Sequence, residues 1–225
     1  MKKRVFLLAA LFALLSMGVY AVKAPTPTAQ AANASTIVLH SSGSSAYAAF
    51  IIEDGDITRF VEMDISTQRF QEKPGKPIAE PTVFVYVSEF NSVTQTSIWG
   101  SGQTIVNGLQ IDGKTLDSAY LPWTTVSIQP MDDYGNPVGS PYDISVTATW
   151  TGVGVTTYSH WVSHYRIPGV INEKDSGTGA WRDATAVGSY HYTSPVDATY
   201  VSATDASSVG AQLNNGRVIQ TIVLH

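Results

Sequence analysis

Residues 142–150 alternate strictly between apolar and polar side chains, and this pattern constrains the fold more than any other feature. The alternating apolar set is Tyr142, Ile144, Val146, Ala148 and Trp150. Successive side chains of a strand point to opposite faces of a sheet, so one face of this segment meets a core and the other meets water. Residues 57–65 alternate in the same way, although Arg59 interrupts the apolar face. We predict a strand at both segments, with Trp150 in the core.

The chain after residue 31 has the composition of strands throughout. It contains 20 Val and 15 Ile but only 6 Leu, and β-branched residues pack well on a pleated surface but lose rotamer freedom in a helix. We expect an all-β fold, an antiparallel β-sandwich of which a jelly roll is one form. The further strands that we predict are 35–40, 45–52, 82–90, 94–99, 103–111, 123–129, 155–167, 187–193, 197–204, 207–213 and 217–224.

Turn-forming residues separate the predicted strands. Gly55, Asp112-Gly113 and Asn214-Asn215-Gly216 are typical of tight turns, because Gly and Asn tolerate positive φ angles. Residues 168–185 are predicted to be a long loop, and one option is that 155–167 pairs with 187–193 across it.

Residues 1–31 have the features of a signal peptide. Lys2-Lys3-Arg4 is a basic start, an apolar run follows, and Ala29-Gln30-Ala31 offers the small residues that a signal peptidase recognises. Val19-Tyr20-Ala21 is a second cleavage site, and residues 5–22 are long enough to be an uncleaved membrane anchor. We predict cleavage after Ala31, which leaves one domain (residues 32–225), secreted or associated with the cell surface, with no membrane insertion after cleavage.

The predicted mature chain is acidic and contains no cysteine. Nine Lys and Arg stand against eighteen Asp and Glu, a net charge of −9 with His neutral. This balance disfavours nucleic acid as a partner, because phosphate contacts need clustered cations. Without Cys, the exported domain has no disulfide and no thiol chemistry.

The pentapeptide Thr-Ile-Val-Leu-His occurs near both ends of the predicted domain, at residues 36–40 and 221–225. One interpretation is that two strands have converged on the same β-favouring residues. The other is that both segments are edge strands, open to pairing between molecules.

Four segments, in the same order along the chain, resemble an uncharacterised family of exported bacterial β-rich proteins. The resemblance spans roughly residues 45–213 and implies an exported β-rich domain, but it implies no activity. It also implies cysteines near positions 56, 93 and 170, where this chain has Asp, Val and Val. The four segments are 84–90 (FVYVSEF), 147–154 (TATWTGVG), 166–169 (RIPG) and 182–188 (RDATAVG).

Two histidines are candidate metal ligands. His160 and His164 have the spacing of a zinc-binding helix, but on a strand they lie about 13 Å apart, too far for one ion. If 155–167 pairs with 187–193, His160 faces His191, and cross-strand neighbours about 5 Å apart can share a metal. The alternative is that both histidines are ordinary residues of an exposed sheet face.

Two acidic turns are candidate calcium sites, since Ca²⁺ takes six to eight oxygen ligands. One contains Asp54 and Asp56, and the other contains Asp132 and Asp133. Neither follows the EF-hand pattern, and Asp beside Gly is also an ordinary turn former. No other cofactor is expected.

Four aromatic residues form the predicted ligand-binding surface: Trp161, Tyr165, Tyr190 and Tyr192. Trp161 and Tyr165 share one face of their strand, and the two later tyrosines are expected on a neighbouring strand. Such a face is suited to a glycan or a protein, because Trp and Tyr combine apolar area with a polar tip. The alternative is that these rings form a second layer of core.

The sequence carries no catalytic motif that we recognise, neither G-x-S-x-G, nor H-E-x-x-H, nor a phosphate-binding glycine loop. We therefore expect a non-catalytic binding or surface-associated module whose partner is a cell-surface glycan or a protein. One alternative is a structural or matrix protein that assembles through its edge strands. The other is a secreted hydrolase with two carboxylates.

Overall fold

The computed structural model describes residues 35–224, and every regular element in this range is a β-strand. No helix of this range is long and apolar enough to cross a membrane. The predicted signal peptide, its second cleavage site and the anchor hypothesis lie outside the described residues, as does His225. The strands are β1 (Ser35–Asp54), β2 (Ile57–Ser66), β3 (Arg69–Lys73), β4 (Ile78–Ala79), β5 (Thr82–Asn91), β6 (Thr96–Ile105), β7 (Gln110–Ile111), β8 (Ser118–Met131), β9 (Tyr142–Gly152), β10 (Thr157–Ile167), β11 (Ile171–Thr193), β12 (Tyr200–Ser207) and β13 (Gly210–Leu224).

Eight strands are joined by antiparallel pairing into a closed ring. Their order is β1, β2, β5, β6, β8, β9, β11 and β13, and β13 returns to β1. The other five strands, β3, β4, β7, β10 and β12, attach to the ring. The predicted all-β antiparallel class is therefore confirmed. The finer description as a two-sheet sandwich stays a prediction, because the pairing joins all the strands in one sheet.

The hydrophobic core lies inside the ring and follows the alternation of the sequence. On β9 the apolar side chains from Ile144 to Trp150 are buried, as predicted. Rings from different strands meet in this core: the centroid of Phe50 on β1 lies 6.1 Å from that of Tyr190 on β11. Trp150 Nε1 donates a hydrogen bond to the Tyr47 carbonyl oxygen at 2.8 Å, which joins β9 to β1. The predicted core position of Trp150 is confirmed.

Part of the sheet continues beyond the core as a layer that we call the wing. It consists of residues 35–43 of β1, 216–224 of β13 and 171–179 of β11, with β3 beside β1 and β10 beside β11. None of the fully buried hydrophobic side chains in the described chain belongs to these segments. The two faces of the wing are therefore the main surfaces that the fold leaves without a core behind them.

Three predicted breaks are continuous strand in the structure. Residues 168–185 are not a long loop: β10 and β11 are joined by a short turn at 168–170, and β11 begins at Ile171. The predicted turn at Asn214-Asn215-Gly216 and the predicted gap at 41–44 also lie inside strands, β13 and β1. All three were predicted from Gly, Ser and Asn, whose turn preference is overridden here by pairing with neighbouring strands.

The interpretation of residues 35–40 and 217–224 as edge strands, one of the two given above, is wrong. The two segments pair with each other, with Ile37 opposite Ile222 and Val38 opposite Thr221. Each also has a second neighbour, because 38–42 pair with β3 and 217–224 pair with β11. The long edge strand is β10, which within residues 35–224 pairs with β11 alone.

Gly188 permits the close approach of β1 and β11, and we predict that Gly188→Ala destabilises the protein. A Cβ at Gly188 would lie 2.6 Å from Phe50 Cζ, so the core would have to shift. Overpacking of this kind costs about 1–3 kcal/mol. Urea unfolding measures the loss, and Gly210→Ala is the control, because a Cβ there meets no atom within 4 Å. Equal stability of the two variants would contradict the proposed packing role.

Candidate functional site

The wing places one tryptophan flat against the sheet. Trp161 on β10 pairs with Gly177 on β11, and a Cβ built at Gly177 would overlap the indole ring. The absence of a side chain at Gly177 thus allows the ring to lie across the backbone of the neighbouring strand. Because Trp161 remains 42% exposed, the opposite face of the indole is open to solvent.

Polar groups that can form hydrogen bonds surround this ring on the same face, which we call the outer face. Tyr165 lies four residues after Trp161 on β10, on the same face, and is 57% exposed. Glu173 pairs with Tyr165 and accepts a hydrogen bond from the Gln220 amide. Asp175 accepts a hydrogen bond from Ser163 Oγ at 3.3 Å, and burial together with Glu173 raises the pKa of Asp175.

A trough of small residues runs beside Trp161 on the outer face. Gly179, Gly216 and Gly43 lie opposite one another on β11, β13 and β1, so this row of the sheet has no side chains on these three strands. The backbone at residues 67–68 covers the Gly43 end. Trp181, two residues beyond Gly179 on the same face, borders the trough on the side away from Trp161 and is 37% exposed. The sequence did not predict Trp181 as a site residue, because it falls in the segment assigned to a loop.

The other two residues of the predicted aromatic surface lie in the core. Tyr190 is fully buried, and Tyr192 is 2% exposed. The Tyr192 hydroxyl donates a hydrogen bond to Glu89 Oε1 at 2.6 Å, and burial is the main cause that raises the pKa of Tyr192. The even-numbered side chains of this part of β11 point into the ring. Of the four predicted ligand-binding aromatics, only Trp161 and Tyr165 are therefore available to a ligand.

The predicted histidine pair does not come together. His160 pairs with Thr178, whereas His191 lies thirteen positions further along β11, between Ser145 and Ser202. The cause is the short turn after β10, which brings 171–181 rather than 187–193 beside β10. Two histidines that far apart along a strand cannot ligate one ion. Among residues 35–224 no group of three His, Cys, Asp or Glu side chains is arranged to hold a metal.

His191 belongs instead to a second exposed aromatic cluster. Its ring centroid lies 5.4 Å from that of Trp123 on β8 and 5.9 Å from that of Tyr200 on β12. The rings are inclined to one another by 44° and 37°, so they do not form a flat platform. The outer face of the wing, where one indole lies flat beside two carboxylates, is the better built candidate for a ligand.

Arg59, which interrupts the apolar alternation of β2, is the buried cation of an ion-pair cluster. Its guanidinium lies 2.8 Å from Asp54 Oδ2, 3.4 Å from Asp197 Oδ2 and 3.6 Å from Glu89 Oε1. Glu89 is itself buried and accepts a further hydrogen bond from Ser194 Oγ at 2.6 Å. Three carboxylates surround this one buried guanidinium, so we assign the cluster a structural role at one end of the core.

Three of the four acids of the predicted calcium turns, Asp54, Asp132 and Asp133, already have partners within the protein. Asp54 pairs with Arg59. Asp132 accepts the backbone N–H groups of Tyr134 and Asn136 together with the Asn136 amide, and these bonds lower the pKa of Asp132. Asp133 accepts a hydrogen bond from Ser97 Oγ. These contacts account for the acidic turns as turn-forming residues, and calcium binding stays a prediction.

A pair of carboxylates that the sequence analysis did not single out lies on the outer side of β2. Glu62 and Asp64 are two residues apart and stand beside Tyr47 and Tyr86 of the neighbouring strands. Burial raises the pKa of each to about 7, and the Asp64 carboxyl adds to the effect on Glu62. The alternation of residues 57–65 already placed both acids opposite the core, so that pattern was the available signal.

We predict that Asp64→Asn stabilises the protein at pH 8 and has little effect at pH 4. Because the folded-state pKa lies above the ordinary value of 3.8, the folded chain keeps its proton as pH rises while the unfolded chain loses it. Stability therefore falls between about pH 4 and pH 7, and the amide removes this loss, for a gain of up to about 4 kcal/mol at pH 8. Urea unfolding at both pH values measures it. Asp143→Asn, on an exposed carboxylate, is the control, and equal gains in both variants would contradict the assignment.

Comparison with known proteins adds no family to this geometry. No protein-family model matches the chain, and a search of curated proteins finds no significant match. The resemblance to an exported bacterial family therefore stays a prediction. We infer function from the placement and chemistry of the side chains alone.

Proposed function

We propose that this protein is an exported, non-catalytic module that binds a glycan on the outer face of its wing. The observation that carries the proposal is the Trp161 indole, which lies flat on the backbone at Gly177 with its other face open. A flat aromatic ring fixed in this way offers apolar area to the C–H face of a sugar at little entropic cost.

The groups around Trp161 suit the hydroxyls of a sugar. Glu173 and Asp175 are hydrogen-bond acceptors, and the Gln220 amide can both donate and accept. The negative charge of the two carboxylates disfavours an acidic sugar at this face, so the ligand that we propose here is neutral. The glycine trough between Trp161 and Trp181 gives an extended chain room to pass close to the sheet.

Export, localisation and the layered form of the domain are parts of the same proposal. The basic start, apolar run and small-residue triplet before residue 32 support secretion, either outside the cell or at its surface. The contacts of Phe50 with Tyr190 and of Trp150 with Tyr47 join β1 across the core to β11 and to β9, neither of which is its neighbour in the ring. Such contacts support a flattened, sandwich-like domain.

We predict that Trp161→Ala weakens retention on a neutral polysaccharide by about tenfold, because it removes the stacking surface. Affinity electrophoresis of the purified protein through gels that contain soluble glucans, xylans or mannans measures this. Trp123→Ala is the matched control, since it removes an exposed tryptophan from the other aromatic cluster. Thermal unfolding of both variants should match that of the parent protein.

Two results would overturn the glycan proposal. One is the absence of retention of the parent protein on every polysaccharide tested. The other is loss of retention in Trp123→Ala with retention preserved in Trp161→Ala, which would move the site to the cluster around His191.

A secreted hydrolase is the second candidate function, and the pair Glu62 and Asp64 is the observation that favours it. General acid–base catalysis works best with pKa values near the operating pH, and both carboxyls have a pKa of about 7. Two residues along a strand separate their Cα atoms by about 6.6 Å and direct both side chains to the same face, as two carboxyl groups that act together about 5–10 Å apart require. Binding remains our first proposal, because neither of two clefts found among the described residues contains this pair. The clefts, of ≈ 290 Å³ and ≈ 610 Å³, lie beside Arg59 and beside Tyr120.

If the protein is a hydrolase, we expect Glu62→Gln to lower the rate at which it releases reducing sugar from soluble polysaccharides by about 100-fold or more. Glu80→Gln, on an exposed loop carboxylate, is the control and should retain the parent rate. If the parent protein releases no sugar, or if the two variants lose activity equally, the acid pair is not a catalytic centre.

A further inference from the structure

The face of the wing opposite Trp161 concentrates the positive charge of this acidic protein. Of the nine Lys and Arg in the described chain, five stand on this face, and each is exposed. They lie on four strands, β3, β10, β11 and β13. We call this surface the basic face, and its cations are Arg69, Lys73, Arg166, Lys174 and Arg217.

The register arranges these cations in rows. Lys73, Val38, Thr221, Lys174 and His164 are paired in one line across five strands. Arg69, Ser42, Arg217, Thr178 and His160 are paired in a second line, four residues away along β1. Strand spacing makes each row about 19 Å wide, and the rows lie about 13 Å apart.

No acidic side chain offsets this charge within the rows. Between the rows of Thr36 and Ser42, the basic face of the described residues carries no Asp or Glu. None of its five cations forms an ion pair within residues 35–224, whereas Arg59 and Arg182 do. The loop that carries Asp112 and Asp117 lies at the base of the face, where Asn215 Nδ2 donates a hydrogen bond to the Gly113 carbonyl oxygen, and Asp117 pairs with Arg182. Glu72, Glu173 and Asp175 lie on the outer face instead.

We propose that the basic face binds a linear polysaccharide that carries carboxylates. A small anion contacts one or two of these cations at most, because the rows are about 13 Å apart, so the charge pattern fits a polymer. Arg pairs with carboxylates through two parallel hydrogen bonds, and three of the five cations are Arg.

Nucleic acid fits this surface less well. The rows between Thr36 and Ser42 carry no Phe, Tyr or Trp on which a single-stranded base can stack, and their aromatic rings are the smaller imidazoles of His40, His160 and His164. Outside this face, four Lys and Arg stand against eighteen Asp and Glu in the predicted mature chain, and this excess repels a densely charged duplex. The proposal is independent of neutral-glycan binding, because the two ligands occupy opposite faces of the wing.

The test is binding of the purified protein to immobilised polygalacturonate over a series of NaCl concentrations. We predict that Lys73→Gln with Lys174→Gln weakens binding by roughly 3- to 10-fold and makes it less dependent on salt. Lys76→Gln with Lys114→Gln is the matched control, since it removes the same charge from exposed positions outside the basic face. The control pair should bind as the parent protein does.

Further arms decide between the proposed polymer and other partners. Trp161→Ala should keep full binding to polygalacturonate, whatever its effect on neutral glycans. The proposal is overturned if the parent protein does not bind polygalacturonate, if the two lysine pairs lose affinity equally, or if duplex DNA or vesicles of anionic lipid bind more tightly than the polysaccharide at the same salt concentration.

Discussion

The structure depends on the pairing of β13 between β1 and β11. β13 pairs with β1 from Leu224 opposite Ser35 to Gly210 opposite Ala49, and with β11 from Ile171 to Ala184. This double pairing closes the ring, which is what encloses the core, and it continues past the core to form the middle of the wing. Backbone hydrogen bonds along two full edges hold the wing together, although no buried hydrophobic residue lies in it.

Small residues mark the place where these three long strands lie side by side. Gly43, Gly216 and Gly179 form one row of the sheet, and Gly177 lies two residues before Gly179 on β11. In isolation each of these segments looks like a turn, since Gly, Asn and Ser favour turns. In the sheet these segments lie on neighbouring strands, and pairing satisfies their backbone hydrogen bonds and leaves a surface without side chains. Strand pairing therefore overrides the local turn preference. The same absence of side chains lets Trp161 lie flat.

The wing separates opposite chemistries because a strand directs alternate side chains to opposite faces. Odd-numbered residues of β10 and β11 place Trp161, Tyr165, Glu173 and Asp175 on the outer face. Even-numbered residues place Arg166 and Lys174 on the basic face. A thin sheet without a core behind it can therefore offer a neutral, hydroxyl-rich ligand one surface and an acidic ligand the other. The overall charge conceals this division, because the rest of the chain is acidic.

The sequence by itself determined that the chain is all-β, that strands cover 57–65, 82–90 and 142–150, and that Trp150 lies in the core. These conclusions follow from the alternation of side chains and from the β-branched composition, because both reflect side-chain period and local propensity. The alternation also placed Trp161 and Tyr165 on one face. The sequence could not predict the pairing register of β10. It therefore could not predict the positions of His160 and His191 or the burial of Tyr190 and Tyr192. Which strands become neighbours is decided by contacts between residues far apart in the chain. The tertiary structure therefore decided that the two tyrosines are buried and that the two histidines lie far apart. It also decided that Trp181 lies beside the site and that five cations from four strands lie on one face.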